Sequence, residues 1–185
     1  MWNRGKFLKA AMAGLIGTTG IFAFLKGYKQ KYKIADIVEY PSPILRGVSQ
    51  STDFIDDSII TFGNSMIAIL RYRAPFEFFT KGSLYKGLAA PQVGIQKRLI
   101  VCGLHGEVKI LINPEILEQR GTYLNNEYCL SLPRYDRKTI KRSQNVSVKY
   151  KTLENTEKVL VAKNGSAALL QHEIDHLNGV LYIDY

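Results

Sequence analysis

Histidine is scarce in this chain, with three in 185 residues, and cysteine is scarcer, with two. Two cysteines allow at most one disulfide, so a scaffold of stapled loops is excluded. Acidic residues are missing from the first 35 positions, where Arg4, Lys6, Lys9, Lys26, Lys29, Lys31 and Lys33 all precede Asp36. The net charge of +9 is therefore local, because 18 basic residues face 16 acidic ones in the remainder. A nearly neutral body gives no reason to expect a specific nucleic-acid site. Internal repeats and low-complexity tracts are also missing, and the length suits one domain better than two. Nor does any apolar run reach the roughly 20 residues needed to cross a bilayer.

The nearest approach to such a run is the uncharged stretch 10–25, held between Lys9 and Lys26. Basic flanks around it fit a short membrane anchor, a signal-peptide core or an acid-free organelle presequence. No small-x-small cleavage site follows, and the arm is lysine-rich without serine. A helix folded onto the domain is the plainer alternative. We expect residues 1–33 to form an arm and 34–185 the folded domain.

What is present gathers around Gln171, His172, Glu173, Ile174, Asp175 and His176. Two imidazoles four residues apart share one face of an α-helix, so both can reach one metal ion. Glu173 sits beside the first, where a carboxylate can take a proton from activated water. A solvated helix carrying two histidines by chance is the bland alternative, and it must place two of only three histidines around one glutamate. A hydrolytic metal site commonly has three protein ligands and one open position. Tyr182 stands where some His-Glu-x-x-His hydrolases carry a third histidine, after Gly179. The third ligand should thus lie upstream, at His105, Cys129, Cys102 or a carboxylate. Cys102, within the apolar run 99–102, reads as a buried strand residue. His105, beside Gly106, reads as an exposed turn residue. Cys129 lies in a loop-like stretch before Pro133, and a thiolate there suits Fe(II) or Zn(II).

The rest of the chain supplies a frame. Asp53 to Arg71 reads as a core helix, with Ser51, Thr52 and Asp53 as caps and Asp56 and Asp57 in the first turn. Residues 73–86 are aromatic and irregular, a packed loop more than a flap. In 87–94, small residues and Pro91 let the backbone approach something, and Gln92 is the one polar side chain. Strand runs at 98–104 and 108–113 read as a hairpin, the second ending at Asn113-Pro114; 146–153 and 157–162 read as another. A helix starts at Asn164-Gly165-Ser166 and runs to His176.

Three blocks together resemble the peptide deformylases, over about 34–185. The first, from Gly87 to Gly94 (GLAAPQVG), is similar to the family's glycine-x-glycine-leucine-alanine-alanine-x-glutamine block. Glu127-Tyr128-Cys129-Leu130-Ser131 is similar to its glutamate-glycine-cysteine-leucine-serine block, and 171–176 to its glutamine-His-Glu-x-Asp-His block. The stretch 40–46 is similar to the family's opening segment. The resemblance implies an α+β fold, with antiparallel sheets packed around a central helix that carries the His-Glu-x-x-His motif. It implies that Cys129, His172 and His176 hold one Fe(II) per chain, with Zn(II) or Ni(II) as substitutes. It further implies Glu173 as the base, and Gln92 with the Leu130 backbone N–H as donors to the oxyanion. The implied substrates are N-formylmethionyl nascent peptides near the ribosome, with formate as product.

The chain departs from the family pattern at three points. Tyr85 and Tyr128 replace glycines, and the segment many members carry beyond Tyr185 is not in the sequence. We expect Gly87, Tyr85 and Tyr128 to border the substrate groove, and activity to persist with altered preference. Two other readings fit the sequence less well: a formyl-peptide-binding protein without turnover, and a His-Glu-x-x-His metallopeptidase. Formylated nascent chains place the expected enzyme in the bacterial cytoplasm, with an inner-membrane tether through residues 10–25 as one option. A mitochondrion or plastid is the alternative.

Overall fold

The structure is a computed structural model, and it describes residues 35–73, 86–104 and 106–185. Helix α1 spans Asp57–Arg73. Strands follow as β1 (Gly87–Ala89), β2 (Leu99–Leu104), β3 (Glu107–Arg120), β4 (Tyr123–Glu127), β5 (Lys138–Arg142), β6 (Asn145–Lys151) and β7 (Glu157–Lys163). Helix α2, Asn164–Leu177, comes last, before a short 3-10 turn at Tyr182–Asp184. Five strands form one antiparallel sheet in the order β1-β2-β3-β6-β7, and β4 pairs with β5 in a second. The expected α+β class with antiparallel sheets is what forms.

The period of two along β2 explains how the sheet serves two helices at once. Ile100, Cys102 and Leu104 share a core with Ala167, Leu170, Ile174 and Leu177 of α2. Leu99 and Val101 point the other way and join Met66, Ile69 and Leu70 of α1. Each leucine, isoleucine, valine or methionine among these core residues contributes about 1.5–3 kcal/mol by leaving water. Cys102 beside them is fully buried, and burial pushes its thiol pKa upward. It is a core residue, as read from its apolar run. Helix α2 is buried on most of its surface, Gln171, Glu173 and His176 included. It is the central helix, and its C-terminus is closed by Gly179 in the left-handed region, where a Cβ would strike the Arg46 carbonyl.

Three local expectations change. Helix α1 starts at Asp57, four residues later than the capping residues suggested. Asp56 is the cap, its Oδ1 accepting from the Ile59 N–H at 3.0 Å and from Ser58 Oγ at 2.6 Å. Thr52 is unavailable for capping because Asn113 holds its backbone: Thr52 N–H donates to Asn113 Oδ1 and Asn113 Nδ2 donates to Thr52 O, both at 2.8 Å. Second, β3 does not end at Pro114. The register shifts between Ile112 and Glu115, with Asn113 at φ 49°, so a bulge absorbs the proline and pairing with β6 resumes. Third, β1 is a strand where small residues suggested only close-approaching backbone, and β4 and β5 are strands in segments where no strand run was read. Tyr85, His105, the arm 1–33 and all but the ends of 73–86 lie outside the described residues. Among the described residues no helix is long and apolar enough to cross a membrane.

Candidate active site

Helix α2 brings His172 and Glu173 to the wall of a cavity of about 460 Å³. Gly87, Gln92, Tyr128, Cys129, Leu130, His172 and Glu173 all line it. His176 lies one turn below His172, with its ring centroid 5.0 Å away. Its Nε2 is 3.1 Å from Cys129 Sγ. The ligating atoms of Cys129, His172 and His176 all fall within 4.8 Å of one another. A divalent ion bound at the usual 2.0–2.3 Å needs its donors about 3.3–3.6 Å apart. One thiolate with two imidazoles is a donor set for a borderline or soft ion, so the residues fit a metal such as iron or zinc. His105 is outside the described residues, and Cys102 faces the core between β2 and α2.

A charged network orients the first histidine. Arg142 on β5 donates bidentately to Glu127 on β4, Nε to Oε1 at 2.8 Å and Nη2 to Oε2 at 3.0 Å. Glu127 Oε2 lies 2.7 Å from His172 Nδ1. With Nδ1 engaged there, Nε2 is the nitrogen left for a metal. Arg142 Nη1 also donates to Asp175 Oδ2 at 2.6 Å, and Tyr185 Oη donates to the same oxygen at 2.8 Å. The Tyr185 ring covers the guanidinium at 4.5 Å. Burial alone would raise the Glu127 pKa, but His172 and Arg142 outweigh it and hold the group down at about 2. Burial likewise opposes charge on His172, yet Cys129 and Glu127 raise its pKa well above the ordinary value. For His176, burial comes first and the His172 charge adds to it, and together they drive its pKa well down.

Glu173 is the group with unspent capacity. It is buried, its Oε2 has no hydrogen-bond partner among the described residues, and it borders the cavity. Burial raises its pKa to about 7, with the His172 charge opposing and the Glu127 charge adding. Gly87 makes room for it: a Cβ there would overlap the Glu173 carboxyl group. Gln92 is held by its own turn, Oε1 accepting from Ala89 N–H at 2.8 Å. That fixes Nε2 toward Cys129 Sγ and Ser131 Oγ, each at 3.3 Å. The Tyr182 ring stacks beside His172 at 6.3 Å while its hydroxyl donates to the Asp136 carbonyl, so Tyr182 buttresses the site and is no ligand.

The comparisons with known proteins agree with this geometry. A family model for polypeptide deformylase matches residues 34–185. The chain belongs to the polypeptide deformylase family. A peptide deformylase of Rhizobium meliloti (strain 1021) is 38% identical over 160 residues, covering 82% of this chain and 84% of its own. One from Dictyoglomus thermophilum is 35% identical over 151 residues, covering 82% and 92%. The crystal structure of peptide deformylase from Thermotoga maritima superposes with a TM-score of 0.72 at 33% identity, over 82% of this chain and 96% of that one. The activity is that of a deformylase, a hydrolase, and the binding-only and metallopeptidase readings give way to it.

Arg142 and the pairing role of Glu127 escaped the sequence reading. A signal existed: along Lys138–Arg142, Ile140 and Arg142 share one side of the strand, and Ile140 is buried. An arginine on the inward side of a strand needs a carboxylate partner.

Proposed function

We propose a metal-dependent deformylase in which Cys129, His172 and His176 hold one Fe(II) per chain, with Zn(II) or Ni(II) as substitutes. The substrates are N-formylmethionyl nascent peptides, met near the ribosome in a bacterial cytoplasm. The observation that carries this reading is the convergence of the three donor atoms within 4.8 Å, with Glu173 on the same cavity wall. When bound, the ion supplies Lewis acidity to the formyl carbonyl and lowers the pKa of water.

The chain's own groups do the rest. The Glu173 carboxylate, raised in pKa and with Oε2 unpaired among the described residues, takes the proton of the attacking water and returns it to the leaving amine. A positioned base of this kind is worth about 10²–10⁴ in rate. Gln92, its carbonyl side anchored, presents Nε2 to the oxygen that gains charge, and the Leu130 N–H is the second donor. Each such donor is worth about 10²–10³ in kcat. Leu70 and Leu169 form an apolar part of the cavity wall suited to the methionine side chain.

The test is stoichiometric. Fe(II)-loaded protein given formyl-Met-Ala-Ser should release one formate for each free amino terminus, and should leave Met-Ala-Ser uncut. Binding of the formylated peptide without formate, or cleavage of the unformylated one, would overturn the assignment.

A further inference from the structure

The outer part of the cavity differs in chemistry from the part around Glu173. Tyr128, at the position of a family glycine, is 43% exposed. The Arg137 guanidinium lies 4.3 Å above its ring. Both side chains line the cavity, with Lys86, Asn125, Asn126 and Asn164 nearby. Two carboxylates line it as well, and neither is available to a cation at the rim. Glu127 is bound by Arg142 and His172, and Glu173 is buried. Arg137 makes no ion pair within 4 Å among the described residues. The nearby acid Glu39 belongs to the next cavity, beyond Tyr128 and Leu130.

A guanidinium stacked on an aromatic ring keeps its in-plane N–H donors free, and those donors match a carboxylate in two-point geometry. The ring also restricts the arginine before binding, so less rotamer freedom is lost when a partner arrives. A peptide whose formylated end sits beside Glu173 has Tyr128 and Arg137 on the same cavity wall for its following residues to meet. We propose that Arg137, mounted on Tyr128, is a specificity-determining residue that selects substrates with an acidic side chain at the first or second position after the formylated residue. This rests on the deformylase reading, and it adds a class of preferred substrate to it.

The experiment measures kcat/KM for formyl-Met-X-Ser-amide and formyl-Met-Ser-X-amide, with X as Glu, Ala or Lys; the amide removes the terminal carboxylate. Wild type should prefer Glu to Lys by about tenfold in at least one series at low salt. The preference should shrink toward unity near 1 M salt, where the Debye length is about 3 Å. Arg137→Gln should bring Glu and Ala within about twofold, and Arg137→Glu should reverse the order of Glu and Lys. Tyr128→Gly, which removes the mount, should weaken the preference. Residue 137 is exposed, so these changes leave the core intact. An unchanged Glu-to-Lys ratio in Arg137→Gln, or a wild-type preference for Lys, would overturn the proposal while formate release kept the deformylase reading. No formate from any peptide would instead remove that reading, and this proposal with it.

Discussion

The two halves of the cavity are built by different rules. Around Glu173, every functional side chain is held twice: once by its own element and once by a neighbour. His172 is fixed by α2 and by Glu127; Gln92 by its turn and by Cys129 and Ser131; Glu173 by α2 and by its close fit against Gly87. At the rim, Tyr128 and Arg137 hold each other and face solvent, with no other hold among the described residues. A doubly held group can be buried with an altered pKa, which chemistry requires. A singly held group can change without unfolding the protein, which is where substrate preference can vary. The reaction and the preference are therefore separable by mutation.

The strongest break in the inner half is loss of a ligand. Cys129→Ala should take bound metal from about one ion per chain to near zero, measured by elemental analysis, and formate release with it. Next comes Gly87→Ala, whose methyl group must push the Glu173 carboxyl aside. A displacement of about 1 Å at a reacting group costs on the order of 10²-fold in kcat, and metal content should stay at wild-type level. Normal kcat in this variant would show that Glu173 has room to spare.

Arg142→Leu comes third. It leaves Glu127 and Asp175 without their cation, and breaking a buried pair costs about 3–5 kcal/mol. Thermal unfolding should fall by on the order of 10 °C. The same network predicts a pH dependence. The folded-state Glu127 pKa, about 2, lies below its ordinary 4.5, so its contribution is complete above about 4.5. It is lost as pH falls from there toward 2, and Arg142→Leu should flatten that slope of stability against pH. The smallest effect belongs to Tyr185→Phe, which keeps the ring over Arg142 and loses one exposed hydrogen bond to Asp175, worth under about 1 kcal/mol.

The same division explains what could be read without coordinates. His172, Glu173 and His176 are legible because helical spacing alone places them together. Cys129 is legible by elimination among the few upstream candidates and, like Gln92, through the block around it, since nothing local says that α2 will lie beside both. The β4–β5 pairing brings Arg142 to Glu127 and Arg137 to the cavity rim, and that register has no local signature in a basic stretch. The start of α1 was misplaced for a similar reason. Asn113, 61 residues away, holds the Thr52 backbone and leaves capping to Asp56. Pro114 suggested a strand end because a proline cannot donate to the ladder, and the bulge at Asn113 removes that need.

One measurement bears on the central claim most directly. Glu173→Gln keeps the shape of the side chain and removes its ability to accept a proton. Loaded with Fe(II) without oxygen, it should bind as much metal as wild type and release formate from formyl-Met-Ala-Ser about 10²–10⁴ times more slowly. Equal rates at equal metal content would contradict the account, because Glu173 could not then be the base.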